Sequence, residues 1–201
     1  MTFEEGPITV TIQNVVASVD LFLKINLAKA AQGLVFFAEV SYIPEQFPGL
    51  VVKIKEPKTS ALVFSSGKMV ITGAKSAQEI HDAVMTLREM LKDGITSAPS
   101  QSKKPLIEVQ NVVASGNIGC RINLELAALL LDNSMYEPEQ FPGLIYRIPN
   151  PKTVLLLFQS GNIVCTGAKK EEYVLRAVKT VREDLEMVDA LVDEGSLEGP
   201  A

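Results

Sequence analysis

The residues from Pro44 to Lys75, PEQFPGLVVKIKEPKTSALVFSSGKMVITGAK, return from Pro138 to Lys169 as PEQFPGLIYRIPNPKTVLLLFQSGNIVCTGAK. Aligned without a gap, 20 of 32 positions are identical, which shared composition does not produce. A second block agrees: QNVVAS at 13–18 recurs at 110–115, and INLAKAA at 25–31 recurs as INLELAA at 122–128. The offset is 97 in the early block and 94 in the later one, so three residues are missing from the second copy between Ala128 and Pro138. A tandem duplication confines the fold to two copies of one supersecondary unit, and the function to what both copies keep.

The unit can be read in order. Residues 1–7 are expected to be a frayed end. ITVTIQNVVAS (8–18) is β-branched and alternating, a strand that VDLFLKI (19–25) is expected to continue. Asn26 is a good N-cap for a short helix from Leu27 to Gln32 that Gly33 should end, and Asn123 repeats the cap before Leu124. Strands are expected at 35–43, 50–55, 59–65 and 68–72, with PEQFPG as one connecting loop and SSGK as a tight turn. Ser76 to Leu91 reads as an amphipathic helix, with Ser76 and Glu79 as a capping box and Ile80, Val84, Leu87 and Leu91 as its stripe. The second copy ends in a helix from about Glu171, with Val174, Val178, Val181 and Leu185 as the stripe. These readings give β-α-β-β-β-β-α twice: repeats at 8–91 and 106–188, a Gly/Ser/Pro connector at 92–105, and a loosely held acidic tail at 189–201.

Helices on one side of an antiparallel sheet should leave a polar face opposite them. Here that face is apolar. Val63, Met69 and Ile71 would face the helices of the first copy, and Leu157, Ile163 and Cys165 those of the second. Val16, Leu62, Phe64 and Val70 then point the other way, as do Val113, Leu156, Phe158 and Val164. The few polar groups among them also repeat: Asn14 with Thr72, and Asn111 with Thr166. Such a face needs a further layer, an oligomer partner or a ligand, and no helix is left over to supply the layer. The only two phenylalanines of the second copy, Phe141 and Phe158, match Phe47 and Phe64. Core packing is an alternative for Phe64 and Phe158 and is less natural for Phe47 and Phe141, which sit at a loop tip. Basic residues recur around the face: Lys53 with Arg147, Lys58 with Lys152, Lys75 with Lys169.

The net charge of −5 speaks at first against a nucleic-acid partner, but seven of the 24 acidic groups lie in residues 183–201, which hold no Lys or Arg. Residues 1–182 therefore carry 19 basic against 17 acidic groups, so a polyanion site must be a local patch. No apolar run is long enough for a membrane span, and MTFEEGP lacks the regions of a leader peptide, so a cytoplasmic protein is expected. Two unrepeated cysteines, Cys120 and Cys165, with one histidine argue for core thiols and against a disulfide or metal site.

Taken together, QNVVAS, EQFPGL, PKT, the F-x-SG turn and V-x-TGAK, all doubled, closely resemble the TATA-box-binding protein family of archaeal and eukaryotic transcription, over about residues 8–188. A short N-terminus and an acidic C-terminal tail are similar to the archaeal type. The resemblance implies an α+β saddle: a ten-stranded curved antiparallel sheet whose concave side meets DNA, four helices on the convex face, and the PEQFPG loops as stirrups. It also implies a general transcription factor that binds the TATA box through the minor groove, kinks it with phenylalanine wedges, and assembles with transcription factor B and RNA polymerase. It implies no enzymatic activity, no cofactor, association with the nucleoid, and a homodimer in the absence of DNA.

The minor groove presents adenine N3 and thymine O2 acceptors, to which guanine adds an amino group. Asn14, Asn111, Thr72 and Thr166 would donate to the acceptors. Val16, Val70, Val113 and Val164 would lie where a guanine amino group clashes. Phe47 with Phe64 and Phe141 with Phe158 would be the wedges, beside Leu62 and Leu156. Lys53, Lys68, Lys75, Arg147 and Lys169 would hold phosphates, although Lys68 is matched by Asn162. Glu137 and Glu139 of the second stirrup would meet transcription factor B. Two rival classes remain. An enzyme has little support, since His81 lies beside an apolar helix stripe and has no counterpart, and no catalytic set repeats. A homo-oligomeric scaffold burying the open face against itself is the other.

Overall fold

The computed structural model describes residues 2–35, 37–97 and 103–192. In chain order its elements are β1 (Thr2–Glu5), β2 (Ile8–Asp20), β3 (Lys24–Ile25), α1 (Leu27–Leu34), β4 (Glu39–Ser41), β5 (Leu50–Ile54), β6 (Thr59–Val63), β7 (Lys68–Ala74) and α2 (Ala77–Met90). A 3-10 turn (Lys92–Gly94) and β8 (Ile95–Ser97) precede the second set. That set is β9 (Leu106–Asn117), β10 (Arg121–Ile122), α3 (Leu124–Leu130), β11 (Ser134–Met135), β12 (Leu144–Pro149), β13 (Lys152–Leu157), β14 (Asn162–Ala168), α4 (Glu171–Met187) and β15 (Leu191–Val192).

The chain divides into two compact units, the first Asn14–Gln110 and the second Met1–Gln13 with Asn111–Ala201. In the first unit antiparallel strands pair in the order β2-β7-β6-β5-β4, and in the second β9-β14-β13-β12-β11. Among the described residues, a five-strand run of this order and two helices in each unit make an α+β fold of the duplicated kind. The core of each unit lies between its sheet and helices. In the first, Leu50, Val52, Ala61, Val63, Met69 and Ile71 are no more than 1% exposed, as are Ile80, Val84 and Leu87 of α2. In the second, Leu144, Leu155, Leu157, Ile163 and Cys165 meet Val174, Val178, Val181 and Leu185 of α4 at the same depth. Burying each such aliphatic side chain contributes about 1.5–3 kcal/mol.

The caps follow the sequence. Asn26 Oδ1 accepts the N–H of Lys29 at 3.0 Å, and Asn123 Oδ1 that of Leu126 at 3.1 Å. Ser76 Oγ accepts the N–H of Glu79 at 3.1 Å, while the Glu79 carboxylate reaches back to the N–H of Lys75 at 2.8 Å.

Several boundaries differ from expectation. Residues 19–25 are not one strand: β2 stops at Asp20, Phe22 takes φ 56°, and Lys24–Ile25 pairs with β8 instead. That pairing also gives order to part of the 92–105 connector; its residues 98–102 lie outside the described ones. Gly33 stays inside α1, which runs on to Leu34 because Leu34 is buried. The strand expected at 35–43 is only Glu39–Ser41, and Phe36 lies outside the described residues. Residues 2–5 are not frayed: they form a hairpin with β2, and Lys179 holds Glu5 at 2.6 Å. Leu191–Val192 of the tail pairs with Arg121–Ile122; residues 193–201 lie outside the described ones.

Candidate nucleic-acid interface

Strand alternation divides each sheet into two faces, and pairing register places the outward side chains in rows. In the first unit Val51, Leu62, Val70 and Ser18 stand opposite one another in turn across four strands. In the second unit Ile145, Leu156, Val164 and Ser115 make the same row. All eight are half-buried, while Leu50, Ala61, Val63, Met69 and Ile71 on the opposite side are at 0–1%. The next rows are Lys53–Ser60–Thr72 and Arg147–Val154–Thr166. Val16 and Val113 join the open face from the central strands and are likewise half-buried. Sequence reasoning missed Val51, Ile145, Ser60 and Val154. LVVKI is almost wholly apolar, so polarity hides its alternation; only Lys53, pointing outward, betrays that Val51 does too.

Asn14 and Asn111 are held in one orientation. Each sits beside a register shift in its strand pair, where Gly73 (φ 97°) and Gly167 (φ 89°) adopt the left-handed backbone. The N–H of Gly73 donates to Asn14 Oδ1 at 2.8 Å, and that of Gly167 to Asn111 Oδ1 at 2.7 Å. A backbone N–H can only donate, so the oxygen of each amide is occupied and its NH2 is turned toward the threonine, 3.3 Å from Thr72 Oγ1 or Thr166 Oγ1. Each unit thus offers an amide donor and a hydroxyl in an apolar surround.

The phenylalanines pair within each unit. Phe47 meets Phe64 edge-on, with centroids 6.0 Å apart and planes at 64°; Phe141 meets Phe158 at 6.0 Å and 66°. Phe47 is 37% and Phe141 39% exposed, while Phe64 and Phe158 are half-buried at the end of the open face. Each loop is closed by one carbonyl that takes two N–H groups: Ile43 from Gln46 and Phe47, Glu137 from Gln140 and Phe141. Gly49 and Gly143 make room for the rings. A Cβ at Gly49 would lie 2.5 Å from Phe47 Cε1, and one at Gly143 2.7 Å from Phe141 Cε1.

The basic residues are exposed but not equivalent. Lys53 is tied to Glu39 at 2.6 Å, an exposed pair worth about 0–1 kcal/mol. Lys68, Lys75, Arg147 and Lys169 are exposed at the rim, and Asn162 in the place of Lys68 accepts from Asn117 instead, at 2.8 Å. Glu137 and Glu139 are exposed on the second loop. His81 is exposed beside Asp82 on α2. Burial pushes the Cys165 thiol up to about 12, and Cys120 is half-exposed. Among the described residues no helix is long and apolar enough to cross a membrane.

Each unit thus carries an oriented amide donor, an apolar row and a pair of aromatics on one open sheet face. The family model for transcription factor TFIID (or TATA-binding protein, TBP) matches residues 9–94 and 106–188, and the chain belongs to that family. It is 46% identical over 193 residues to the TATA-box-binding protein of Pyrobaculum islandicum, covering 96% of this chain and 94% of that one. To the TATA-box-binding protein of Thermococcus celer it is 48% identical over 187 residues, covering 93% and 95%. The solved structure of Methanococcus jannaschii TBP superposes with a TM-score of 0.76 at 40% identity, covering 89% of this chain and 98% of that one. The chain is accordingly a DNA-binding transcription factor of archaeal type and not an enzyme.

Proposed function

We propose that the protein is a general transcription factor that binds the A·T-rich TATA box through the minor groove, each unit's open face taking one half of the site. The observation that carries this reading is the orientation of Asn14 and Asn111. With their oxygens held by Gly73 and Gly167, they offer donors to a groove floor whose A·T pairs present only acceptors. Val16, Val70, Val113 and Val164 lie around those donors, and a guanine amino group brought against them would lose its water without finding a partner.

Phe47 with Phe64 and Phe141 with Phe158 are the wedges, inserted between base steps at the ends of the site, with Leu62 and Leu156 alongside. Minor-groove binders of this sort, the TATA-binding family among them, offset unstacking by the contacts a bent duplex gains. Pyrimidine–purine steps unstack most cheaply, which adds selectivity for TA. Lys53, Lys68, Lys75, Arg147 and Lys169 neutralise phosphates. The bound complex recruits transcription factor B through Glu137 and Glu139, and RNA polymerase through it; in an archaeal cell the protein stands on promoters in the nucleoid. Without DNA, a second copy covers the open face.

Titration of a labelled TATA duplex and a G·C-substituted duplex tests this. Strong preference for the first, with dissociation of any dimer on binding, is expected. Equal affinity for both would overturn the reading.

A further inference from the structure

Across their outward rows the two units match in chemistry except at one place. The first unit has Lys53–Ser60–Thr72 where the second has Arg147–Val154–Thr166. A cation answers a cation and a threonine a threonine, but serine stands against valine. Ser60 lies directly opposite Thr72, whose hydroxyl is 3.3 Å from the Asn14 amide. Side chains opposite one another in an antiparallel pair have Cβ atoms about 4.5–5.5 Å apart. The Ser60 hydroxyl is therefore a neighbour of the Asn14–Thr72 pair.

That hydroxyl is free. In the adjoining rows Ser18 accepts from Gln110 at 2.8 Å and Ser115 from Gln13 at 2.7 Å, so those serines are engaged. Lys53, on the other side of Ser60, is held by Glu39. Ser60 itself is half-buried, and its side chain makes no hydrogen bond to any described residue. A hydroxyl both donates and accepts. It can donate to adenine N3 or thymine O2, and it can accept from the amino group that guanine adds. Valine does neither, and a guanine amino group pressed against it loses its water without gaining a partner.

We propose that Ser60 is a specificity-determining residue: it lets the first unit accept one G·C pair in its half of the site, where Val154 makes the second unit reject one. The inference rests on the minor-groove reading given above. The two halves of the site then differ in what they admit. A single G·C pair in an otherwise symmetric A·T site fixes which unit lies on which half.

Palindromic A·T duplexes test this, with G·C introduced at each position in turn, either in one half or at mirrored positions in both. For the wild type one position is expected where a single G·C pair leaves affinity within about threefold, while mirrored pairs lower it about tenfold, since one of them must lie under Val154. S60V should lose about tenfold to the single pair as well. V154S should bind the mirrored pairs as tightly as the single one. Inosine·cytosine pairs, which lack the amino group, should be tolerated by every variant. Each variant places in one strand the residue its counterpart already carries, so both should melt as the wild type does. Absence of any position with this pattern, or S60V indistinguishable from the wild type on every duplex, would overturn the proposal. So would an S60V that weakens every duplex equally, the mark of a sugar or phosphate contact. Equal rejection of G·C and inosine·cytosine would assign the selectivity to duplex stiffness and overturn it too. A wild type indifferent to A·T content would instead overturn the minor-groove reading itself.

Discussion

The side-chain oxygen of Asn14 accepts the backbone N–H of Gly73 at 2.8 Å, which leaves its amino group as the part a ligand can meet. Asn14→Asp with Asn111→Asp keeps both acceptors and so both bonds to Gly73 and Gly167. It replaces two donors with charges that repel the acceptors of an A·T minor groove. We predict a melting temperature within a few degrees of wild type and at least a tenfold loss of TATA affinity per site, since base contacts are worth about 1–3 kcal/mol each. Parallel melting and titration curves check this; retained affinity would show that the amides do not read bases.

Phe141 and Phe158 touch only edge-on, and Phe141 is 39% exposed. Phe141→Ala with Phe158→Ala should therefore weaken binding and reduce DNA bending, with a smaller effect on stability than the roughly 3–5 kcal/mol that each core phenylalanine would cost. Gly143→Ala should act in the same direction more mildly, because its methyl would displace the Phe141 ring without removing it. Fluorescence transfer across the duplex and thermal unfolding on the same variants separate the two readings. A large fall in melting temperature with unchanged bending would mean that these rings are core.

Glu137 and Glu139 are exposed on the loop whose counterparts are Ile43 and Glu45. Glu137→Arg with Glu139→Arg reverses four units of charge there without touching the sheet face. Binary DNA binding should stay within about threefold of wild type, and assembly of the ternary complex with transcription factor B should fall at least tenfold, on the scale of about 1.4 kcal/mol per decade. A gel-shift titration with and without the factor measures both. Parallel loss of the two would assign the effect to DNA.

Cys165 is fully buried, and burial alone raises its thiol from 9.0 to about 12. Its neutral form is thus favoured by folding. The associated stability is complete below the unfolded value near 9 and disappears as pH rises toward 12. Tyr146 weakens the fold in an overlapping window, its phenol pushed from 10.0 to about 12 first by burial and then by its hydrogen bond to Asp184. Cys165→Val, which retains an aliphatic like Ile71 of the first repeat, should leave stability at pH 7 nearly unchanged and flatten the loss between pH 9 and 12. Native-state alkylation should mark Cys120 and spare Cys165. Denaturant unfolding across that pH range and mass spectrometry provide the readouts.

Much of this protein is written locally in its chain. The duplication, the Asn and Ser caps, the α2 and α4 stripes and the inward and outward halves of β6, β7, β13 and β14 follow from periodicity and residue type. Both copies agree, so each reading is made twice. The apolar open face could be inferred for the same reason: helices cover only one side of a sheet. What tertiary structure alone decided depends on partners distant in sequence. Residues 2–5 form a strand because β2 and Lys179 receive them, and residues 19–25 break because β8 pairs with Lys24–Ile25. The outward place of Val51 and Ile145 required the register of β5 on β6 and β12 on β13. The direction of the Asn14 and Asn111 amides required Gly73 and Gly167, 59 and 56 residues away, because a side-chain amide has two faces and only a bonded neighbour chooses between them.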